Sequence, residues 1–172
     1  MDTFLKIVAS RWLRLVLVLF FVLALQTTLF AQLRPFGVAG QVLLLFTACA
    51  GVTYGVSVGT ITGLVAGLMY DFTLATPIGI GSLTLGVVGA TAGVYLYFFP
   101  NPIWWLRIFA IACASALGEV YYPIALAMVG LDGWIQFRLL KIIAVVVVIN
   151  ILFAPVMLIV SRWTLSERKR TN

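Results

Sequence analysis

Any chemistry in this chain has to come from very few side chains. Five acids are scattered through 172 residues, histidine is absent, and the two cysteines lie in separate apolar runs. Without histidine the commonest general base and the commonest metal ligand are both gone. No phosphate-cradling glycine loop, no nucleophile beside a base and no HExxH or CxxC spacing occurs. Two acids stand out by their surroundings. Glu119 falls near the middle of an apolar run. An unpaired charge at that depth costs about 2.5–3.5 kcal/mol on insertion scales, so Glu119 is either neutral and hydrogen-bonded or faces protein or water. Counting turns puts Asn150, on the last apolar run, at a similar depth, and the two are read as a polar pair with a structural or functional role. Asp71 closes another apolar run. It reads as an interfacial cap, or as a buried anchor that orders residues 72–81 with Arg34 or Arg138 as its partner. Arg138 and Lys141 read as cations that snorkel to the interface. Cys49 and Cys113 read as buried free thiols. One intramembrane acid without histidine is thin for a catalyst, and no enzyme, cofactor or metal site is expected.

The elements that carry these residues are membrane helices. The chain is 63% hydrophobic and 9% charged, with a mean hydropathy of +1.17, which excludes a soluble domain of this length. A hydrocarbon core of ~30 Å takes about 20 residues per helix, so the whole chain is read as one polytopic domain. The spacing of breaks predicts helices over 12–33, 39–54, 59–71, 82–99, 104–129 and 138–161, followed by a basic tail, 162–172. A basic start before an apolar middle also suits a secretory signal, but no small-x-small cleavage site follows, so the first helix is read as retained. The run 38–70 is too long for one span at 1.5 Å per residue, and its break is expected within Gly55–Gly59. Pro123 is expected to kink the fifth helix. The net charge of +6 sits at the ends of apolar runs rather than on one patch, which points to the bilayer and away from nucleic acid. With six spans, eight of the eleven lysines and arginines share a side with both termini, so both ends are expected to be cytoplasmic.

Within that frame the most ordered feature is a stripe. Glycine recurs every fourth residue at Gly51, Gly55, Gly59, Gly63 and Gly67, and the next step lands on Asp71. Steps of four keep residues on one slowly drifting helix face, which leaves a groove without side chains. Between membrane helices, small residues let backbones approach and gain dispersion contacts that lipid tails cannot supply. Gly86, Gly89 and Gly93 give the next helix a similar face. Both are read as packing or docking faces for partner helices or a second copy.

Gly63 to Gly67, then Leu68-Met69-Tyr70-Asp71-Phe72, a loop ending Pro77-Ile78-Gly79 and another small, apolar helix resemble the MreD family of rod-shape-determining membrane proteins. Gln26, late in the first helix, fits the same pattern. The resemblance covers residues 15–160 and is carried by about 25–95. Where that family often opens its second helix with a proline–aspartate pair, this chain has Ala39-Gly40-Gln41-Val42. The resemblance implies a non-catalytic subunit of the bacterial cell-elongation machinery in the cell membrane. Such a subunit binds the single-span scaffold MreC and is linked through it to MreB, RodZ, the RodA glycosyltransferase and a class B penicillin-binding protein. It also implies a fold like the six-helix substrate-binding subunits of energy-coupling-factor transporters. An alternative function follows from that kinship: an outward pocket in which Asp71 and Glu119 meet a vitamin-like ligand. The alanine-x-x-x-alanine pair with which those subunits dock is missing, since Ala24 and Ala31 are seven residues apart.

Overall fold

The computed structural model describes residues 11–32, 40–73, 77–100, 103–130 and 137–166. Among them the chain is all-helical. The helices are α1 (Arg11–Gln32), α2 (Val42–Tyr54), α3 (Val56–Asp71), α4 (Ile80–Phe98), α5 (Trp104–Met128) and α6 (Phe137–Leu165). Helices α1, α4, α5 and α6 are long and apolar enough to cross a membrane, whereas α2 and α3 are shorter apolar helices.

Helix α2 forms the centre. It carries no charge and is apolar on every side, and such a helix finds no favourable place at a polar surface. Its residues from Val42 to Val52 are all buried. It touches each of the other five helices, so the bundle is organised radially around 13 residues. Large side chains such as Leu15 and Leu19 from α1 and Ile111 from α5 are fully buried in the core around it.

The chain reverses between α2 and α3 at one residue. Gly55 has φ +88°, a conformation open to glycine at little cost, and it serves as the last cap of α2 and the first of α3. A Cβ on Gly59 would meet the Gly51 Cα, so the two helices fold back on each other at once. The break therefore comes at the first glycine of the expected cluster, and α3 starts at Val56 rather than 59. Helix α4 starts at Ile80 and α6 reaches Leu165, both beyond their expected limits of 82 and 161. Side chains from other helices bind those two ends, as described below. Pro123 and Pro155 lie inside helices that are not interrupted.

Helices α3 and α4 make the most extensive contact in the molecule. They run antiparallel with an evenly stepped register. Gly67 faces the Gly81 carbonyl, Gly63 faces that of Leu85, Gly59 faces that of Gly89, and Gly93 meets the backbone of Gly55 and Val56. A methyl group on any of these glycines would strike backbone, not a movable side chain. Gly51 of α2 meets the same Gly89 oxygen, at 2.5 Å from its would-be Cβ, so three helices converge on one residue. Of the two readings of these glycine faces, packing and docking, the structure shows packing within the chain. Gly59, Gly63, Gly67, Gly86, Gly89 and Gly93 are all buried within the chain, and their faces are closed to a partner helix because α3 and α4 have closed them on each other. Gly55 is a reversal point rather than part of a docking face.

Gly63→Ala is therefore expected to overpack the α3–α4 contact and cost about 1–3 kcal/mol or more. Gly86→Ala should be milder, because its methyl would first meet the end of the Leu64 side chain, 2.9 Å away, which can swing aside. Thermal unfolding of the two variants in mild detergent, followed by fluorescence-detected size exclusion, makes the comparison. Equal midpoints would mean that backbone contact does not set the spacing of these helices.

Candidate functional site

Several of the described polar side chains bind the ends of helices other than their own. Asp71, the last residue of α3, is 1% exposed and points at the start of α4. Its Oδ2 accepts hydrogen bonds from the amides of Gly79 at 2.8 Å and Ser82 at 3.1 Å, and its Oδ1 accepts one from Gly81 at 2.8 Å. The first amides of a helix have no partner within it, and the helix dipole favours negative charge there. A carboxylate from the preceding helix answers both demands. Ser82 strengthens the joint by donating from its hydroxyl to the Leu64 carbonyl at 2.9 Å. Asp71 is thus the buried anchor of the two readings, and its bonds go to backbone amides. Arg34 lies outside the described residues, as does the side chain of Arg138.

Gln26 repeats the device at α2. It is buried in α1, and its Oε1 accepts from the Leu43 amide at 2.9 Å, in the first turn of α2. At the opposite end of the bundle the polarity is reversed. The Arg14 guanidinium donates to the Trp163 carbonyl at 3.2 Å and to the Ser166 carbonyl at 2.7 Å, and the Tyr54 hydroxyl donates to the Arg162 carbonyl at 3.0 Å. A cation and a hydroxyl thus bind the last carbonyls of α6, where a helix terminus favours positive charge. Gln26, a lone polar residue in an apolar run, was the one available signal for these caps. Their targets could not be read from spacing, because each cap joins distant segments.

Asn150 and Glu119 do not pair. Asn150 is 1% exposed and donates from Nδ2 to the Ser115 hydroxyl at 2.8 Å, tying α6 to α5. Ser115 precedes Glu119 by one turn on the same face, so depth was estimated correctly only to within that turn. Glu119 is 5% exposed, and its Oε1 has no hydrogen-bond partner among the described residues. Tyr70 is close enough to be influenced by Glu119 and Tyr122, and lies against the Gln26 side chain. Beside them is a cavity of about 10 Å³ bordered by Gln26, Gln41, Tyr70, Thr84 and Tyr122, which is room for about one water. Cys49 is buried, as expected, but Cys113 is exposed on the outer side of α5. No group of three or more metal-binding side chains occurs among the described residues.

Asp71→Ala would strand three amides, each at a cost of about 1–3 kcal/mol, and should lower the unfolding midpoint more than Asp71→Asn, which keeps one acceptor oxygen. If the alanine variant unfolds where the wild type does, the cap contributes nothing. Glu119→Gln removes a charge without a described partner and is expected to hold or raise the midpoint in the same assay; a clear fall would reveal an ionic partner. Comparison with protein-family models, curated proteins and solved structures finds no match to this chain.

Proposed function

We propose that this chain is a non-catalytic, six-span scaffold subunit of the bacterial cell-elongation machinery, as its resemblance to the MreD family implies. The observation that carries this reading is the state of the Gly-Leu-Met-Tyr-Asp segment. Its glycine is locked against α4, and its aspartate is consumed in capping α4. The segment is a joint, and a motif used as a joint suits a protein whose product is its shape. The other polar side chains support the same view, since Gln26, Arg14, Tyr54, Ser115 and Asn150 bind backbone or each other.

The alternative, a vitamin-binding transporter subunit, needs an interior cleft. Ligand pockets run to about 300–1,000 Å³, and among the described residues the interior cavity at Gln26, Tyr70 and Gly118 has room for one water. The position of Asp71 also leaves it no free oxygen for a ligand at the α4 end. The gathering of Arg14, Arg107 and Arg162 at one end of the bundle supports cytoplasmic termini in the inner membrane, by the excess of positive charge on that side. With the glycine faces closed internally, an MreC-like single-span partner would meet the outer helix surfaces.

The test is affinity purification through a tag on the C-terminal tail, in mild detergent from the native host, with partners identified by mass spectrometry. An MreC-like single-span protein should be recovered, with peptidoglycan synthases in lower yield. Recovery of a paired ATPase and a second polytopic subunit would overturn the scaffold reading in favour of transport.

A further inference from the structure

A second, larger hollow lies on the outside of the bundle. The stretches from Thr91 to Phe99 and from Leu106 to Leu117, on α4 and α5, line a groove of about 340 Å³. Small side chains at Ala92, Ala110, Cys113 and Ala114 leave the room, and Phe98 and Phe109 flank it. From Leu106 to Leu117 it follows α5 for about 16 Å at 1.5 Å per residue, close to the depth of one leaflet of a ~30 Å hydrocarbon core. Its end near Leu106 is marked by the exposed Trp104 and Trp105, residues typical of the membrane–water interface.

That end is polar and incomplete. Arg107 adjoins groove-lining Leu106 and lies close enough to the Tyr95 hydroxyl to act on it electrostatically. The Arg107 Nε and the Tyr95 hydroxyl are both shielded from solvent, and neither has a hydrogen-bond partner among the described residues. The guanidinium calls for an acceptor, best a negative one, and the nearby Tyr95 hydroxyl can donate to the same group. The described acids, Asp71 and Glu119, sit toward the other end of the bundle. We infer that the groove holds one acyl chain of an anionic phospholipid, with its phosphate at Arg107 and a small shift of that side chain and Tyr95 to meet it. A partner helix would fill the apolar part but would have to bring its own acid to the interface. A phospholipid carries chain and phosphate already joined at the right depth.

The inference does not rest on the elongation reading, and native mass spectrometry of the full chain in mild detergent tests it separately. Phosphatidylglycerol and phosphatidylcholine with identical acyl chains are the probes. Wild type should retain one phosphatidylglycerol in preference to phosphatidylcholine. Arg107→Gln should lower that occupancy about fivefold, the worth of one basic side chain at an anionic surface, and leave phosphatidylcholine unchanged. Cys113→Trp, at an exposed position, should fill the groove and reduce both lipids. Circular dichroism confirms that each variant is folded, and Arg107→Gln alone decides the matter if the tryptophan variant is not. Equal retention of the two lipids by wild type, or unchanged phosphatidylglycerol in Arg107→Gln, would overturn the inference. So would a dimer or a bound protein that disappears in Cys113→Trp, since either would assign the groove to a helix.

Discussion

In hydrocarbon a backbone has only protein to bond to, and each amide or carbonyl left without a partner costs several kcal/mol. Within a helix the requirement is met automatically. It is not met at the ends, and this bundle has short connections that place some of its ends where other helices pack. Asp71, Gln26, Arg14 and Tyr54 each bind the end of a helix other than their own. The signs follow the helix dipole: a carboxylate and a carbonyl oxygen at two starts, a guanidinium and a hydroxyl at one finish. Remove that rule and α4 would have no reason to begin at Ile80 against α3, nor α6 to continue to Leu165.

The glycine ladder and the Asp71 cap are two parts of one joint. The carboxylate can reach the amides of Gly79, Gly81 and Ser82 only because α3 and α4 lie backbone to backbone beneath it. Close approach at Gly67 brings the Gly81 carbonyl alongside, and Gly81 has no Cβ to push the Asp71 oxygen away. The contact in turn gains direction from the cap, since a slip by one turn would carry the carboxylate past all three amides. Apolar packing alone specifies such a register weakly. A charged end group fixes it.

Much of this architecture was legible in the sequence, and the limits have physical causes. Apolar runs separated by breaks such as Pro35-Phe36-Gly37, Pro77-Ile78-Gly79 and Pro100-Asn101-Pro102 located the helices, because hydrocarbon thickness and the missing proline donor act locally. The stripe of small residues announced a close contact, while Asp71 was open between an interfacial cap and a buried anchor. What could not be read was the identity of the other surface. A stripe is the same whether it meets a partner or the neighbouring helix, and here α4 occupies it. Glu119 and Asn150 show the same limit at finer grain. Their depth could be counted along each helix, but Ser115 lay one turn nearer to Asn150. The roles of Arg14 and Tyr54 were not read from the sequence, since nothing in the local pattern names a carbonyl near residue 163. Cys113 sits in as apolar a run as Cys49, yet apolar is not the same as buried when the solvent is lipid.

The reversal at Gly55 bears on how the protein is made. Helices α2 and α3, of 13 and 16 residues, rise about 20 and 24 Å, each short of a ~30 Å core. Neither is a good candidate to leave the translocation machinery alone, and the one residue between them leaves no loop to wait in water while the second follows. The pair suits entry as a single closed hairpin of apolar chain. Its glycine face would still be bare at that moment, with Gly59 and Gly63 lacking the α4 carbonyls that later cover them. Synthesis of α4 directly afterwards supplies that cover, so the order of segments along the chain is also a workable order of assembly.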